Sequence, residues 1–69
     1  MRRSEESPDD FIRIEEVKRR TSLSKSEVYR RIAEGRFPRS KRLGHRTAVW
    51  TVGEIDAWRR DYLVQELLK

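Results

Sequence analysis

The sequence predicts a mainly α domain with a small β-hairpin: a winged helix-turn-helix made of a helix-turn-helix, a two-stranded wing and a C-terminal helix. Three observations predict it. Two boxes of the form Ser/Thr-x-x-Glu, Ser24-Lys25-Ser26-Glu27 and Thr51-Val52-Gly53-Glu54, each precede apolar residues at helical spacing, and such boxes satisfy free amides at a helix start. Between them stand Gly35 and the corner Phe37-Pro38; glycine ends a helix in a left-handed conformation and proline blocks its continuation. After the corner, Ser40–Leu43 and Thr47–Thr51 flank Gly44-His45-Arg46, a loop that lets two short strands pair, with Gly44 free to take positive φ.

Taken in order, residues 1–10 hold Pro, Ser and acids without apolar periodicity and are expected to form a flexible tail, with the domain over 11–69. Phe11-Ile12-Arg13-Ile14 alternates briefly, an extended lead-in that lays Phe11 or Ile12 on the core. Glu15–Arg20 reads as a first helix, with acids in its first turn and bases in its last, matching the helix dipole. Its stripe is Ile14 and Val17, and Thr21-Ser22-Leu23 breaks the pattern. Ser24 caps the second helix, where Val28 and Ile32 share one face and Leu23 stands as a staple for Val28. Leu43, Val49 and Trp50 are expected to tack the wing to the body. The third helix carries Ile55, Trp58, Tyr62 and then Leu63 or Val64 inward. Trp50 and Trp58 are read as core rather than as stacking platforms for bases.

Composition narrows the function. Of the 69 residues, 35% are hydrophobic and 42% charged, so one small core is all the chain can build. There is no cysteine and a single histidine, which removes disulfides and thiolate zinc sites, and no cofactor or metal is expected. Apolar runs reach only three residues, too short for a membrane span. The net charge of +5 is concentrated: residues 13–46 hold twelve basic against four acidic side chains, a net +8, while the flanks are slightly acidic. Such a block is the footprint of a polyanion site. No nucleophile, base and acid stand in a catalytic pattern, and no glycine-rich phosphate loop is present, so an enzyme is not expected.

In a helix-turn-helix the second helix enters the major groove, and its N-terminal residues reach base edges. Here those positions are Lys25, Ser26, Tyr29 and Arg30, with Ser24 as cap and phosphate ligand. Arg36, Arg39, Lys41, Arg42, His45 and Arg46 supply the wing and its flanks, with Arg46 at the tip. Charge on an edge strand also guards against aggregation, but that accounts for one or two bases, not six. Tyr29 has two open readings, a hydroxyl on a phosphate or a ring packed on the wing. His45 reads as a loop residue.

These residues carry a resemblance. Ser26-x-x-Tyr29, Gly35-Arg36-Phe37-Pro38, Leu43-Gly44, Trp50 and Glu54-Ile55-Asp56-Ala57-Trp58 resemble, at their spacing, the AlpA-type regulators of prophages and integrated elements. The match runs from Ile14 to Tyr62; His45 departs from the basic or small residue usual at the wing tip. The resemblance implies a MerR-like, excisionase-related winged helix that binds double-stranded DNA and regulates neighbouring integrase and excision genes. It also implies that Lys25, Ser26, Tyr29, Arg30 and the wing bases face DNA.

The expected function is therefore sequence-specific DNA binding, cytoplasmic and nucleoid-associated, regulating transcription of prophage or integrated-element genes. One alternative is an excisionase or recombination directionality factor that bends DNA beside an integrase partner. Another is a protein-interaction adaptor with a basic face. A module this small offers few contacts, so copies are expected to associate through Leu63, Leu67 and Leu68, unless those residues cap the core instead.

Overall fold

The computed structural model describes residues 6–68. The chain runs β1 (Phe11–Ile12), α1 (Ile14–Thr21), α2 (Lys25–Ala33), β2 (Lys41–Leu43), β3 (Thr47–Thr51) and α3 (Val52–Leu67). Three helices and a small antiparallel sheet make this a winged helix-turn-helix, as expected.

Helix ends follow the local chemistry. Ser24 Oγ accepts the Glu27 amide at 3.1 Å and starts α2. The reciprocal half of that capping box is not formed: the Glu27 carboxylate is taken by Arg30 and by Arg31 Nε at 2.9 Å. Charged guanidinium donors one turn away are stronger partners than a backbone amide. At the other end Gly35 takes φ 74°, with Gly35 N–H on Ile32 O (3.0 Å) and Arg36 N–H on Arg31 O (2.8 Å). These are the paired bonds of a Schellman stop. The Thr51–Glu54 box is complete, each side chain accepting the other residue's amide, at 3.2 and 3.1 Å. The turn between α1 and α2 is stitched by Thr21, whose hydroxyl donates to Val17 O and accepts from Leu23 N–H. Ser22 there adopts φ 63°.

The sheet holds three strands where two were expected. β1, the lead-in segment, pairs antiparallel with β3 (Phe11 with Thr51, Ile12 with Trp50), and β2 pairs with β3 on its other side (Lys41 with Val49, Leu43 with Thr47). A bare two-stranded hairpin is marginal in water, and the third strand joins it to the body. Gly44 opens the hairpin loop at φ 79°. Ile12 packs on the core and Phe11 stays exposed.

Val17, Val28, Phe37, Trp50 and Ile55 form the buried cluster, with Ile12, Ile14, Leu23, Ile32 and Trp58 packed against it. Each element therefore gives one or two apolar side chains, and β2 gives none. Its three residues are all exposed, Leu43 included at 45%. The expectation that Leu43 tacks down the wing is thus corrected: it pairs with Thr47 at the far end of the hairpin, out of reach of the body, and Val49 and Trp50 do that work. Both tryptophans also hold the Phe-Pro corner. Trp50 Nε1 donates to Pro38 O at 2.8 Å, and Trp58 Nε1 to Arg36 O at 3.0 Å. Phe37, between them, packs on Trp58 with ring centroids 4.9 Å apart.

α3 outruns the core. Ile55 is fully buried and Trp58 partly, but every residue from Arg59 to Leu68 is exposed. Tyr62 stacks on Trp58 at 5.4 Å, whereas Leu63 and Val64, expected to face inward, lie open. Leu63 borders a cleft with Thr21 and Leu23 but stays exposed, as do Leu67 and Leu68, so these three do not cap the core. Residues 7–10, read as part of the tail, form a turn whose carbonyls meet the first amides of α3: Val52 N–H bonds Asp10 O and Gly53 N–H bonds Pro8 O, both at 2.9 Å. The expected tail over residues 1–5 lies outside the described residues.

Candidate nucleic-acid interface

α2 divides cleanly by face. Val28 is buried, and Glu27, Arg31 and Ile32 are half-buried. Lys25, Ser26, Tyr29, Arg30 and Ala33 form the exposed face. All eleven residues singled out from the sequence are exposed: Ser24, Lys25, Ser26, Tyr29, Arg30, Arg36, Arg39, Lys41, Arg42, His45 and Arg46. They are not one cluster.

The fold gathers Lys25 and Tyr29 of α2 with Arg46 of the wing loop around a cleft of about 230 Å³, whose other walls are the start of α1 and the start of β3. Tyr29 leans on the base of the wing, its ring 6.3 Å from that of Trp50 at 58°. The ring is thus tilted against the wing and not flat on it, and its hydroxyl keeps no hydrogen-bond partner among the described residues. Arg13, left in the sequence as a polar position of the lead-in, lines the same cleft. Its only signal was that the basic block begins with it.

The other bases are held elsewhere. Arg30 pairs with Glu27 and, at 2.9 Å, with Glu34 on its own helix. Arg36 pairs with Glu34 at 2.6 Å and lines a cleft against α3 with Trp58 and Asp61. Lys41 pairs with Glu54, tying β2 to the start of α3. Arg42 Nη1 donates to His45 O at 2.6 Å and braces the hairpin tip. By contrast no carboxylate among the described residues lies within pairing distance of Lys25, Arg39 or Arg46.

These pairs set the local electrostatics. Hydrogen bonds from Arg31 and Arg30 hold Glu27 below the usual carboxylate range, and Arg36 does the same for Glu34. Burial pushes Glu54 up, but Lys41 and the Thr51 amide outweigh it and leave that carboxyl lowered. All three stay ionised at neutral pH. Solvent screens exposed ion pairs of this kind and they contribute little, so a guanidinium such as Arg30 can be drawn off by a stronger anionic partner.

With this geometry described, the sequence over residues 10–63 matches the family "Prophage CP4-57 regulatory protein (AlpA)". The chain belongs to the AlpA family of prophage regulatory proteins. The match takes in every element from β1 through most of α3, including the cleft and the wing. The AlpA-family chain is also 38% identical over 48 residues to ORF88, an uncharacterized protein of Enterobacteria phage P4, covering 70% of this chain and 54% of that protein. The chain thus spans about half the length of that relative. No solved structure matches it. Leu67 and Leu68 of this AlpA-family chain lie beyond the matched residues, and no helix among those described is long and apolar enough to cross a membrane.

Proposed function

We propose that this AlpA-family protein is a non-enzymatic, sequence-specific double-stranded DNA-binding protein that regulates transcription of prophage or integrated-element genes, acting in the cytoplasm on the nucleoid. One observation carries the reading: the exposed face of α2 and the tip of a basic wing border one cleft, with no carboxylate among the described residues paired to Lys25 or Arg46. A winged helix-turn-helix places its second helix in the major groove and its wing on the flanking backbone. In that pose Lys25, Ser26 and Arg30 read base edges, Ser24 and Tyr29 meet phosphates, and Arg46 with Arg42, Arg39 and His45 grips the flank. Arg36 and Lys41 contribute at the margin, because Arg36 lines a cleft against α3 with Trp58 and Asp61 and Lys41 ties β2 to the start of α3. To read a guanine edge, Arg30 exchanges its pairs with Glu27 and Glu34, a small cost beside a bidentate base contact worth about 1–3 kcal/mol.

A specific observation supports self-association as well. Leu63, Leu67 and Leu68 are exposed to 58%, 82% and 80%, and an apolar helix end of this kind on a small domain is an economical contact between copies bound to neighbouring half-sites.

Selection from a random duplex pool tests the reading and returns both motif and half-site spacing. On the selected duplex, Arg30→Ala should relax preference at one base pair, a loss of about 1–3 kcal/mol, while Arg46→Ala should weaken all sequences alike and lower the salt slope by about one. Both variants binding like wild type would overturn the assignment. Absence of any duplex binding at low salt would leave the adaptor reading. A sharply bent complex beside integrase sites would instead make the protein a directionality factor with an integrase partner.

A further inference from the structure

We propose that the cleft between the first turns of α1 and α2 and the wing loop seats a backbone phosphate of the bound duplex, and that Arg13 is a ligand to it alongside Lys25 and Arg46. This rests on the DNA-binding reading above and adds to it a residue and a specific site.

Three basic side chains from three separate elements line this one cleft of about 230 Å³. Most arginines on α1 and α2 have carboxylate partners: Arg19 and Arg20 bond Glu16, Arg30 and Arg31 bond Glu27. Among the described residues, none of Arg13, Lys25 and Arg46 has a carboxylate partner. Gathering three like charges is unfavourable unless an anion joins them. The single acid in the lining, Glu15, forms no ion pair with any of them, so the cleft keeps a net charge of +2. Tyr29 adds a hydroxyl free to donate. Arg13 itself stands at the N-cap of α1, which no side chain caps, and Ile14 and Glu15 line the same cleft, so the positive end of the helix dipole favours negative charge there as a secondary contribution.

A phosphate diester fits these features better than a base edge does. Cationic donors converging from several directions suit a tetrahedral anion, whereas a base edge is read by paired donors and acceptors lying in its own plane. The consequence is positional. A phosphate held between α1, α2 and the wing fixes the depth at which Lys25 and Ser26 enter the groove.

The test uses the selected duplex with single phosphates replaced, one position at a time, by neutral methylphosphonate. With wild type, neutralising one position should weaken binding by about eightfold at roughly 0.1 M salt, the share of one neutralised phosphate. Arg13→Gln should lose several-fold on the unmodified duplex without changing the selected motif, and should become less sensitive to the substitution at that one position, Lys25 and Arg46 keeping the remainder; Arg13→Lys should keep the full sensitivity. Glu15→Gln should tighten binding to all sequences several-fold, a gain that misfolding cannot produce. Inorganic phosphate should compete no better than chloride at equal ionic strength if the duplex backbone is the ligand. The proposal is overturned if Arg13→Gln binds as wild type, if it stays as sensitive at every position, or if Glu15→Gln changes nothing. Folded wild type that binds no duplex would instead remove the parent reading, a result these arms keep separate.

Discussion

Ser22 is the only non-glycine residue with positive φ among those described, at 63°, and it sits in the turn that sets α1 against α2. An L-residue there bears about 1–2 kcal/mol of steric cost, part of which glycine returns through its larger loss of chain entropy. Ser22→Gly should therefore raise unfolding stability by up to about 1 kcal/mol, read as a higher denaturant midpoint with an unchanged slope. The sequence marks a break at Thr21-Ser22-Leu23 but not this conformation, because serine carries no left-handed signal as Gly35 and Gly44 do. The same limit applies to Glu27. Its place in a Ser-x-x-Glu box is plain, yet which donor wins its carboxylate depends on Arg30 and Arg31 one turn further on.

α1 is an element whose surface chemistry has a measurable pH dependence. Arg19 and Arg20 both bond the Glu16 carboxylate, at 2.5 and 2.7 Å, and lower its pKa from the ordinary 4.5 to about 2. A lowered carboxylate pKa stabilises the fold above the unfolded value and loses that contribution as pH falls through the folded one. Stability should accordingly decline between about pH 4.5 and 2, and Glu16→Gln should flatten that part of a pH-dependent unfolding profile; an identical profile would show the pairs contribute nothing. Glu27, Glu34 and Glu54 shift in the same direction and add to the decline. At this scale the helices were legible because caps, stops and apolar spacing are local. β1 was not, since two residues carry no periodicity and Phe11–Ile12 becomes a strand only by pairing with β3.

The whole molecule pairs a small core with a long exposed helix end. Burying a leucine contributes about 1.5–3 kcal/mol, and Leu67 and Leu68 are the exposed apolar side chains on which the proposed contact between copies would draw. Sedimentation should show mass rising with concentration for wild type, and Leu67→Asp should weaken that association by at least about tenfold; a concentration-independent monomer in both would exclude it. Sequence alone could list the wing bases but could not sort them, because their partners, Glu34 for Arg36 and Glu54 for Lys41, become neighbours only through the corner and the start of α3. Arg13 entered the cleft by the same route, through tertiary approach of α1 to the wing.

The outer strand of the wing has one more consequence. Lys41, Arg42 and Leu43 contribute no buried side chain, while their partner strand supplies the buried anchors of the hairpin, Val49 and Trp50. Rewriting those three positions alters the charge and shape offered to a duplex and leaves the interior as it was. The hairpin is in that sense a replaceable key bit on a fixed shank.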